Sequence, residues 1–574
     1  MLRAALLLAT VCAVTACNTE PRRTGADVIV IGAGIAGISA ALEASASGAS
    51  VLIVEQSSVA GGHAVRAGGF AMVDTPLQRK KGIEDSPDLA VADLLAWGED
   101  ADPAWVTQFA ERSSADVYDW LTGFGVRFNI LLDTPEGSVP RFHFAGGPAI
   151  NVIVPLLREA FTRDNIHWVM NARAGNIFRT DDGLLVVRTV DTRNGQEREF
   201  AAAAIILATG GFQSNLELVR ANWHDGIEWP DRILLGVGPN AMGDGLRLGA
   251  DLGAAVTRLD AQVTFVNGLP NPRMPHRSLH VSNSASIWID ADGQRFVNEA
   301  APTKLTESAV LASNGQTFWM VFDAQGLRRL RIRDAEWLKP DTISAEILDN
   351  PDVAGKAATL TELAEQVGLP ANALEATINR YNGFIAAGED KDFNRFSADS
   401  GPKPKPIEKP PFHALQLFPM TRKNLGGLAV DIEAQVVDAA GEPVPGLLAA
   451  GESTGVAAIN GRYGGSGTFL APAVLMGRIA GRKAADRADR SLSEIIEFID
   501  AEPGPRLDAG RREANDASGW RRARDGYRHF EDSHRVVSTR NYACDYCHTD
   551  DWPAGPVSTR QARIARLESC TSCH

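Results

Sequence analysis

One stretch, residues 27–55, constrains the fold of this chain more than any other, because it has the pattern strand, glycine turn, helix, strand. The continuous β-branched run ADVIVI at 26–31 is typical of a buried parallel strand. It leads directly into GAGIAG at 32–37, which has G-x-G-x-x-G spacing. An alanine-rich helix is predicted over 38–46 and a second strand over 50–54, with Glu55 at its tip. This pattern predicts an α/β fold of the Rossmann type that binds a dinucleotide.

The residues of the glycine turn have separate roles in the predicted site. Gly32 allows the tight turn, Gly34 lets the backbone approach a pyrophosphate, and Gly37 lets the helix pack closely on the strand. The helix N-terminus favours an anion, and Glu55 at this spacing can bind a ribose hydroxyl pair. Glycine turns also serve plain packing, so the flanking strand and the acid carry the prediction.

Length and charge exclude some classes of protein. A chain of 574 residues is too long for one core and indicates about three folding units. Its net charge of −14 gives no reason to expect nucleic acid as a partner.

The N-terminus predicts export. A short positive start is followed by an apolar run over 4–14, and then by Val-Thr-Ala-Cys at 14–17. These features resemble a bacterial lipoprotein signal over 1–17, in which Cys17 is the lipidated first residue of a periplasmic, lipid-anchored protein. Asn18 then suggests outer-membrane sorting. The alternative is an ordinary secretory signal cut near Ala16. No later segment has 18 uninterrupted apolar residues, so the membrane is expected as a partner only through the lipid anchor.

Two C-x-x-C-H motifs near the C-terminus, at 544–548 and 570–574, predict two haem c groups. Two thiols at this spacing bond the haem vinyl groups, and the adjacent histidine coordinates the iron. The alternative, a zinc ribbon, would leave both histidines unexplained. The predicted attachment residues are Cys544, Cys547, Cys570 and Cys573, and the predicted iron ligands are His548 and His574, with His529 and His534 as candidate second ligands or surface residues.

An arginine-rich segment, 506–528, precedes these motifs. One interpretation is that its arginine side chains are simply solvated. The other is that they neutralise haem propionates or bind an acidic partner.

Further motifs identify a family resemblance. They are ATGGF at 208–212, NAMGDG at 240–245, GQRFVNE at 293–299 and VPGLLAAGESTG at 444–455. The glycine-rich loop GGHAVRAGG at 61–69 could lie against a ring system or could be a plain flexible loop. Over about residues 25–485 the chain resembles the flavoproteins that include soluble fumarate reductases, urocanate-type reductases and 3-ketosteroid dehydrogenases.

That resemblance implies FAD and a discontinuous FAD-binding domain in two parts, 25–240 and 371–485. An α+β capping domain over 241–370 would be inserted between them, and residues 360–393 would form the helical return. A small helical or irregular c-haem segment, 486–574, would follow. The active site is expected at the junction of the two domains.

Residues carried over as flavin contacts come from the glycine turn, the tip of the second strand, the glycine-rich loop, these motifs and position 174. His63 falls near the position where membrane-bound succinate dehydrogenases attach FAD covalently, but the local spacing differs by one residue, which favours a simple contact. The full predicted set is Gly32, Ala33, Gly34, Ala36, Gly37, Glu55, Gln56, Gly62, His63, Gly68, Gly69, Ala174, Ala208, Thr209, Gly210 and Glu452.

The family reaction moves a hydride between flavin N5 and one carbon of a C–C bond while a proton moves at the neighbouring carbon. Arg462 matches the arginine with which fumarate reductases bind the substrate carboxylate. Tyr463 and Gly467 match the keto-binding tyrosine and glycine of the ketosteroid dehydrogenases. Arginine provides a bidentate fork for a carboxylate, whereas tyrosine suits a carbonyl.

Three positions depart from the family. Thr303 stands where the reductases have a proton-donating arginine and the steroid enzymes a tyrosine, so either Lys304 takes that role or the proton path has moved. Two substrate-binding histidines of the reductases are replaced by Gln262 and Arg422, which argues against fumarate itself.

Arg422, Lys423 and Arg462 would still form a cationic pocket for an anionic small-molecule substrate. The alternative reading of these cations is pairing with flavin phosphate or with surface groups.

The predicted function is therefore an exported flavocytochrome c that reduces or forms a C–C double bond next to a carboxylate or carbonyl. Its haems would exchange electrons with a periplasmic or membrane partner, a cytochrome or a quinol oxidoreductase. Two alternatives remain: a ketosteroid dehydrogenase-like desaturase of a cyclic ketone, and an electron-transfer lipoprotein without C–C chemistry.

Overall fold

The computed structural model describes residues 25–65, 68–146, 149–335, 337–396 and 404–487. The predicted signal over 1–17 and the haem motifs over 544–574, with their cysteines and histidines, lie outside these residues. Among the described residues, no helix is both long and apolar enough to cross a membrane.

The first sheet forms around the glycine-turn strand. That strand, Gly25–Ile31, has parallel neighbours on both sides, with Val28 opposite Val51 in one and Ala204 in the other. Residues 26–31 are buried on both faces, which explains the unbroken apolar run. In spatial order the strands are Gln435–Val437, Pro443–Ala449, Glu197–Leu207, Gly25–Ile31, Val51–Val54 and Ile166–Val169, with the antiparallel pair Ala172–Arg179 and Leu185–Asp191 added beside Glu197–Leu207.

Small residues bring two helices together against this sheet. The first helix, Ile35–Ala46, packs along helix Leu470–Ala485. A Cβ added to Gly477 or to Gly481 would lie 2.3 Å from a backbone oxygen of the first helix. These two glycines therefore allow a backbone approach that no larger side chain would permit.

Further helices cover the same side of the sheet. Several begin at side-chain caps, among them the capping box of Thr75 and Gln78 and the caps at Ser86 and Asp102. The helices are Pro76–Lys80, Pro87–Gly98, Pro103–Arg112, the π-helical stretch Ser113–Asp119, Trp120–Gly123 and Ile150–Thr162. A three-stranded sheet of Phe70–Ala71, Ile130–Leu132 and Phe142–Phe144 lies beside them.

A second, largely antiparallel sheet is built around one long central strand, Phe412–Asn424. Its other strands are Leu234–Leu235, Gln262–Asn271, Met274–Asn283, Ile287–Ile289, Phe318–Phe322, Leu330–Arg333 and Ala354–Ala357. The helices in this part of the chain are Leu216–Ala221, Thr303–Leu311, Pro340–Ile343, Leu360–Val367 and Ala371–Ala387. Helix Asp244–Ala250 packs instead on the first sheet, where Leu248 is buried with Ala172 and Ala174.

The prediction that the chain returns to the FAD-binding part near residue 371 is wrong. Leu374 and Ile378 of helix Ala371–Ala387 are buried with Ile287 and Ile289 in the core of the second sheet. The central strand Phe412–Asn424 also belongs to that sheet. The return therefore comes after residue 424, because the apolar face of this helix and the pairing of this strand both belong to the inserted part.

A paired ribbon carries the chain between the two sheets. Leu425 N–H donates to Ala261 O at 2.8 Å, and Ala429 N–H donates to Ala255 O at 2.9 Å. Between these bonds, Val256–Thr257 pairs with Gly427–Leu428. Residues 255–261 and 425–429 thus run side by side as a crossing ribbon.

The GQRFVNE motif supplies a buried ion network. Arg295 Nε donates to Glu299 at 2.8 Å, and Arg295 Nη2 donates to Asp390 at 3.0 Å. Arg395 Nη1 lies 3.1 Å from the same Glu299, and all four side chains are buried. Buried charges are tolerated only when they are paired, so this motif holds the 390–395 loop against the second sheet.

Candidate active site

A long cleft opens where the parallel strands of the first sheet end. Chain segments from both sheets line it. Of the sixteen predicted flavin contacts, twelve line this cleft: Gly32, Gly34, Ala36, Glu55, Gln56, Gly62, His63, Ala174, Ala208, Thr209, Gly210 and Glu452.

The other four predicted contacts lie elsewhere. Ala33 is buried, and its N–H donates to Glu55 Oε2 at 2.7 Å. Gly37 lies under the turn, where an added Cβ would be 1.9 Å from Gly32 O. Gly68 and Gly69 line a second cavity described below.

The turn geometry agrees with the predicted glycine roles. Gly32 has φ +104°, and a Cβ on it would lie 2.4 Å from Ala208 O. Gly34 differs, because a Cβ there would have no atom within 4 Å. The space beside Gly34 therefore faces the cleft rather than protein.

Polar groups at this end of the cleft fit an oxygen-rich anionic ligand. The first helix begins at Gly34 without a side-chain cap and has no acidic residue in its first turn. Its N-terminal N–H groups and helix dipole favour an anion. Thr209 Oγ1 is buried in the cleft lining without a hydrogen-bond partner among the described residues. The residues present thus fit the pyrophosphate and sugar oxygens of FAD.

Glu55 ties the second strand to the turn. It accepts from Ala33 N–H, and its Oε1 accepts from Ser57 N–H at 2.8 Å. Burial raises the pKa of Glu55, although these backbone hydrogen bonds work against that effect.

A second cavity, the chamber, adjoins the cleft between the two sheets. All five predicted catalytic residues line it: Arg462, Tyr463, Lys304, Thr303 and Arg422. Five residues line both the chamber and the cleft, namely His63, Arg422, Lys423, Phe469 and Leu470. A ligand in the cleft and a ligand in the chamber would therefore meet at these residues.

Arg462 reaches the chamber with a half-exposed side chain. Its Nε lies 3.6 Å from Asp100 Oδ2, and its Nη1 lies 4.0 Å from Asp260 Oδ2. Partial burial would raise the pKa of Asp100, but the hydrogen bonds and charge of Arg258 and the charge of Arg462 lower it. Arg462 is thus a cation with acidic neighbours at distances longer than a good hydrogen bond.

Lys304 and Tyr463 contact each other inside the chamber. Lys304 Nζ lies 4.7 Å from the ring centroids of both Trp97 and Tyr463 and 3.4 Å from Glu99 Oε1. Burial and the charge of Glu99 raise the pKa of the Tyr463 hydroxyl. Thr303 is the first residue of helix Thr303–Leu311, which we call the site helix.

The cations at the junction are partly neutralised, which corrects the expected strongly cationic pocket. Arg422 Nη1 donates to Gly236 O at 2.8 Å and lies 3.2 Å from Asp334 Oδ2. Lys423 Nζ lies 3.8 Å from Glu452 Oε2. Burial lowers the pKa of Lys423, and the charge of Glu452 opposes that effect.

Gln262, which stands in place of a family histidine, is occupied by protein contacts. Its Nε2 donates to Val219 O at 3.2 Å and to Asn222 O at 2.5 Å. Its Oε1 accepts from Gln213 Nε2 at 2.8 Å. The amide therefore braces the chamber wall.

Two chamber residues were missed by the sequence analysis, Glu307 and His224. Glu307 Oε1 accepts from Thr264 N–H at 2.7 Å, and His224 Nε2 lies 4.0 Å from the same oxygen. Glu307 is four residues after Thr303, and this helical spacing was the available signal. The burial of both side chains depends on partners distant in the sequence.

Comparison with known proteins agrees with this geometry. A model of the FAD binding domain family matches residues 27–470. The chain is 30% identical over 470 residues to a fumarate reductase (cytochrome) of Shewanella frigidimarina, a match that covers 80% of this chain and 77% of that protein. It is 29% identical over 493 residues to a urocanate reductase of Eggerthella lenta, covering 81% of this chain and 75% of that protein.

Solved structures give the same result. The open conformation of a flavocytochrome c3 fumarate reductase superposes with a TM-score of 0.66 at 27% identity, covering 81% of this chain and 79% of that chain. A 3-ketosteroid-Δ4-(5α)-dehydrogenase from Rhodococcus jostii RHA1 superposes with a TM-score of 0.62 at 26% identity, covering 82% and 99% respectively. The mixed α/β FAD-binding fold is confirmed.

Proposed function

The chain belongs to the FAD binding domain family and is an FAD-dependent oxidoreductase of the fumarate reductase, urocanate reductase and ketosteroid dehydrogenase type, and from this premise we propose its reaction. It reduces or forms a C–C double bond next to a carboxylate or carbonyl of a small, preferably anionic substrate. Bound FAD would supply hydride transfer.

The observation that carries this proposal is the shared boundary of the cleft and the chamber. His63, Arg422 and Lys423 line both, so the same residues would contact FAD in the cleft and a substrate in the chamber. Pockets of this kind, between domains and beyond the ends of parallel strands, are typical of cofactor enzymes.

Basic side chains outnumber carboxyl groups in the chamber lining, although each basic side chain also has a carboxylate within 4.0 Å. Four basic side chains line the chamber, from Lys304, Arg422, Lys423 and Arg462, against three carboxyl groups, from Glu136, Asp225 and Glu307. In a site that excludes water, such cations stabilise the negative charge that develops on a carboxylate or carbonyl as the neighbouring carbon reacts.

Individual roles follow from side-chain chemistry. Arg462 would hold a substrate carboxylate with its two-pronged guanidinium, and Tyr463 would donate a hydrogen bond to a substrate oxygen. Lys304, next to Tyr463, would help to orient the same group. Thr303 would contact the substrate without moving a proton, because an unassisted hydroxyl is a poor acid near neutral pH.

The wider proposal concerns electron supply and location. Cys544 and Cys547 would attach one haem c, and Cys570 and Cys573 a second, with His548 and His574 as iron ligands and His529 and His534 as candidates for the remaining positions. Lipidation at Cys17 would hold the protein at the periplasmic face of a membrane, where a cytochrome or quinol oxidoreductase could exchange electrons with the haems.

One experiment tests the reaction class. The protein is reduced with dithionite without oxygen, and reoxidation of its flavin is followed after adding unsaturated acids or unsaturated ketones one at a time. We expect rapid reoxidation by at least one unsaturated acid, with the saturated acid as the product. If no compound reoxidises the flavin, the proposed C–C chemistry is wrong and the electron-transfer alternative replaces it.

A second candidate, desaturation of a cyclic ketone, is favoured by one observation. Tyr463, with its aromatic contact to Lys304, lies in the chamber beside Arg462, as a carbonyl-binding group would. Reoxidation by cyclic enones but by no acid would favour this candidate.

A further inference from the structure

Thr303 leaves the proposed reaction without an evident proton donor, and the chamber contains a carboxyl group close by. Glu307 is four residues further along the site helix. In an α-helix, residues at this spacing lie on the same face, about 6 Å apart. Both side chains line the chamber.

The Glu307 carboxyl group is held in one position. Its Oε1 accepts from Thr264 N–H at 2.7 Å, and the Thr264 hydroxyl also contacts the carboxyl group. Thr264 belongs to strand Gln262–Asn271 and is buried. The Glu307 side chain is only 13% exposed. The carboxyl group is therefore positioned by the second sheet.

This environment keeps a proton on Glu307 near neutral pH. Burial raises the pKa of Glu307 to about 8, and the hydrogen bonds from Thr264 oppose the shift only in part. A carboxylic acid that is protonated at pH 7 is suited to general acid catalysis, because its pKa lies near the working pH.

The imidazole of His224 lies next to the Glu307 carboxyl group. Its Nε2 lies 4.0 Å from Glu307 Oε1 and is buried without a hydrogen-bond partner among the described residues. Burial lowers the pKa of His224; the charge of Asp260 opposes this effect and that of Arg462 adds to it. The imidazole is therefore neutral while Glu307 is protonated.

We propose that Glu307 donates the proton to the substrate carbon and that His224 restores it. The proposal rests on the C–C chemistry proposed above. In the reducing direction, one substrate carbon would take the hydride, with its two electrons, that bound FAD would supply. The neighbouring carbon takes the proton as the O–H bond of Glu307 breaks, which leaves a carboxylate. The oxidising direction reverses both transfers.

Electrostatics then favour recovery of the proton. Once Glu307 is ionised, its negative charge 4.0 Å away stabilises an imidazolium at His224. The His224 side chain is 20% exposed and lines the chamber, so the imidazole can take a proton from solvent and pass it to Glu307.

Several other charged or titratable side chains line the chamber together with Glu307. His224 and Asp225 come from the 222–232 loop, Arg462 and Tyr463 from the 459–469 loop, and Lys304 from the site helix itself. The remaining charged or titratable residues of the chamber lining are His63, Glu136, Arg422 and Lys423. Strand Gln262–Asn271 contributes only the uncharged Thr264 at this point. As pH rises through about 8, Glu307 loses its proton, and the reduction rate should fall with it.

The test compares Glu307→Gln, Glu307→Asp and the wild type as flavin-loaded proteins. Glutamine keeps the shape but carries no transferable proton, so substrate reduction should slow by about a hundredfold or more while dithionite still reduces the flavin. Aspartate should restore part of the rate. Glu365→Gln, the same change at an exposed position on helix Leu360–Val367, serves as the control.

Infrared spectroscopy gives a readout independent of turnover. The wild type should show a protonated carboxyl C=O band that disappears as pH rises through about 8, and Glu307→Gln should lack this band. His224→Asn should keep the band but slow the second turnover more than the first, because only recovery of the proton is impaired.

The proposal is overturned if Glu307→Gln turns over like the wild type with the same pH profile, or if the wild type has no such carboxyl band. Failure of the proposed function would give a different experimental result. In that case the wild type itself is not reoxidised by any unsaturated acid or ketone.

Discussion

Arg462 provides the clearest test at the scale of single residues. Its guanidinium lies 3.6 Å from Asp100 and 4.0 Å from Asp260. Neither distance is that of a well-made bidentate pair. The Arg462 guanidinium can thus form a bidentate pair with a substrate carboxylate.

Arg462→Lys keeps the positive charge but removes the fork. We expect kcat/KM to fall by about a hundredfold, which corresponds to about 2.7 kcal/mol of transition-state stabilisation. The flavin spectrum should not change. Tyr463→Phe is the comparison: normal turnover of Arg462→Lys together with failure of Tyr463→Phe would mean that the substrate is a ketone.

Glu307 also predicts a pH-dependent stability. Its pKa is about 8 in the folded chain and 4.5 as the ordinary value, so between these pH values the folded protein binds a proton that the unfolded chain has lost. The free energy of unfolding must therefore fall as pH rises over this range. Glutamine has no proton to lose and escapes this effect.

Relative to the wild type, Glu307→Gln should gain stability between about pH 5 and pH 8, on the order of 1–3 kcal/mol after allowing for partial solvent access. Thermal unfolding of both proteins at saturating FAD measures the difference. A stability difference that does not vary with pH would contradict the raised pKa.

The glycine turn and the first helix are the elements that the sequence predicted best. Their geometry depends on residues next to one another in the chain, so a local pattern contains the information. A pair of substitutions separates the two glycine roles that the structure distinguishes.

Gly34→Ala should leave the apoprotein as stable as the wild type, because the added Cβ meets no atom within 4 Å. FAD affinity should nevertheless fall at least tenfold if the pyrophosphate lies there. Gly37→Ala should destabilise the apoprotein itself, because its Cβ would lie 1.9 Å from Gly32 O. Apoprotein melting and FAD titration measure the two effects; equal FAD affinity in Gly34→Ala and the wild type would exclude a ligand beside Gly34.

The elements that the sequence analysis misplaced depend on distant partners. Helix Ala371–Ala387 has an apolar face, but nothing in its pattern shows that this face packs on Ile287 and Ile289. The spacing of Glu307 from Thr303 can be read from the sequence. The burial of Glu307 cannot, because it depends on Thr264, 43 residues away. Gln262 lines the predicted chamber, yet its amide is satisfied by chain segments around residues 213–222.

Cofactor content is the first prediction for the whole molecule. The paired C-x-x-C-H motifs predict about two haems and one FAD per chain when the protein matures in a host that assembles cytochrome c. Cys547→Ser and Cys573→Ser should each remove one haem and leave FAD in place. Haem is measured as pyridine haemochrome and flavin by release; a haem-free protein that contains zinc would contradict the prediction.

The cellular location of the protein is the second prediction for the whole molecule. Labelled palmitate should enter the wild type but not Cys17→Ser, and the variant should leave the membrane fraction. Ser57→Ala, a serine far from the signal in sequence, is the labelling control. Label that persists in Cys17→Ser would mean that the lipobox prediction is wrong.

The crossing ribbon also has a mechanical consequence. If the second sheet rotated about this ribbon, the central strand Phe412–Asn424 would move with it as one element, about 40 Å long at 3.3 Å per residue. Arg422 and Lys423 lie within three residues of Leu425, so a rotation of the second sheet by about 10° about the ribbon would move their backbone by about 1–2 Å while the far end of the strand moves by about 7 Å. Such a rotation would thus displace the far end of the second sheet while Arg422 and Lys423, which line both the cleft and the chamber, keep nearly the same position.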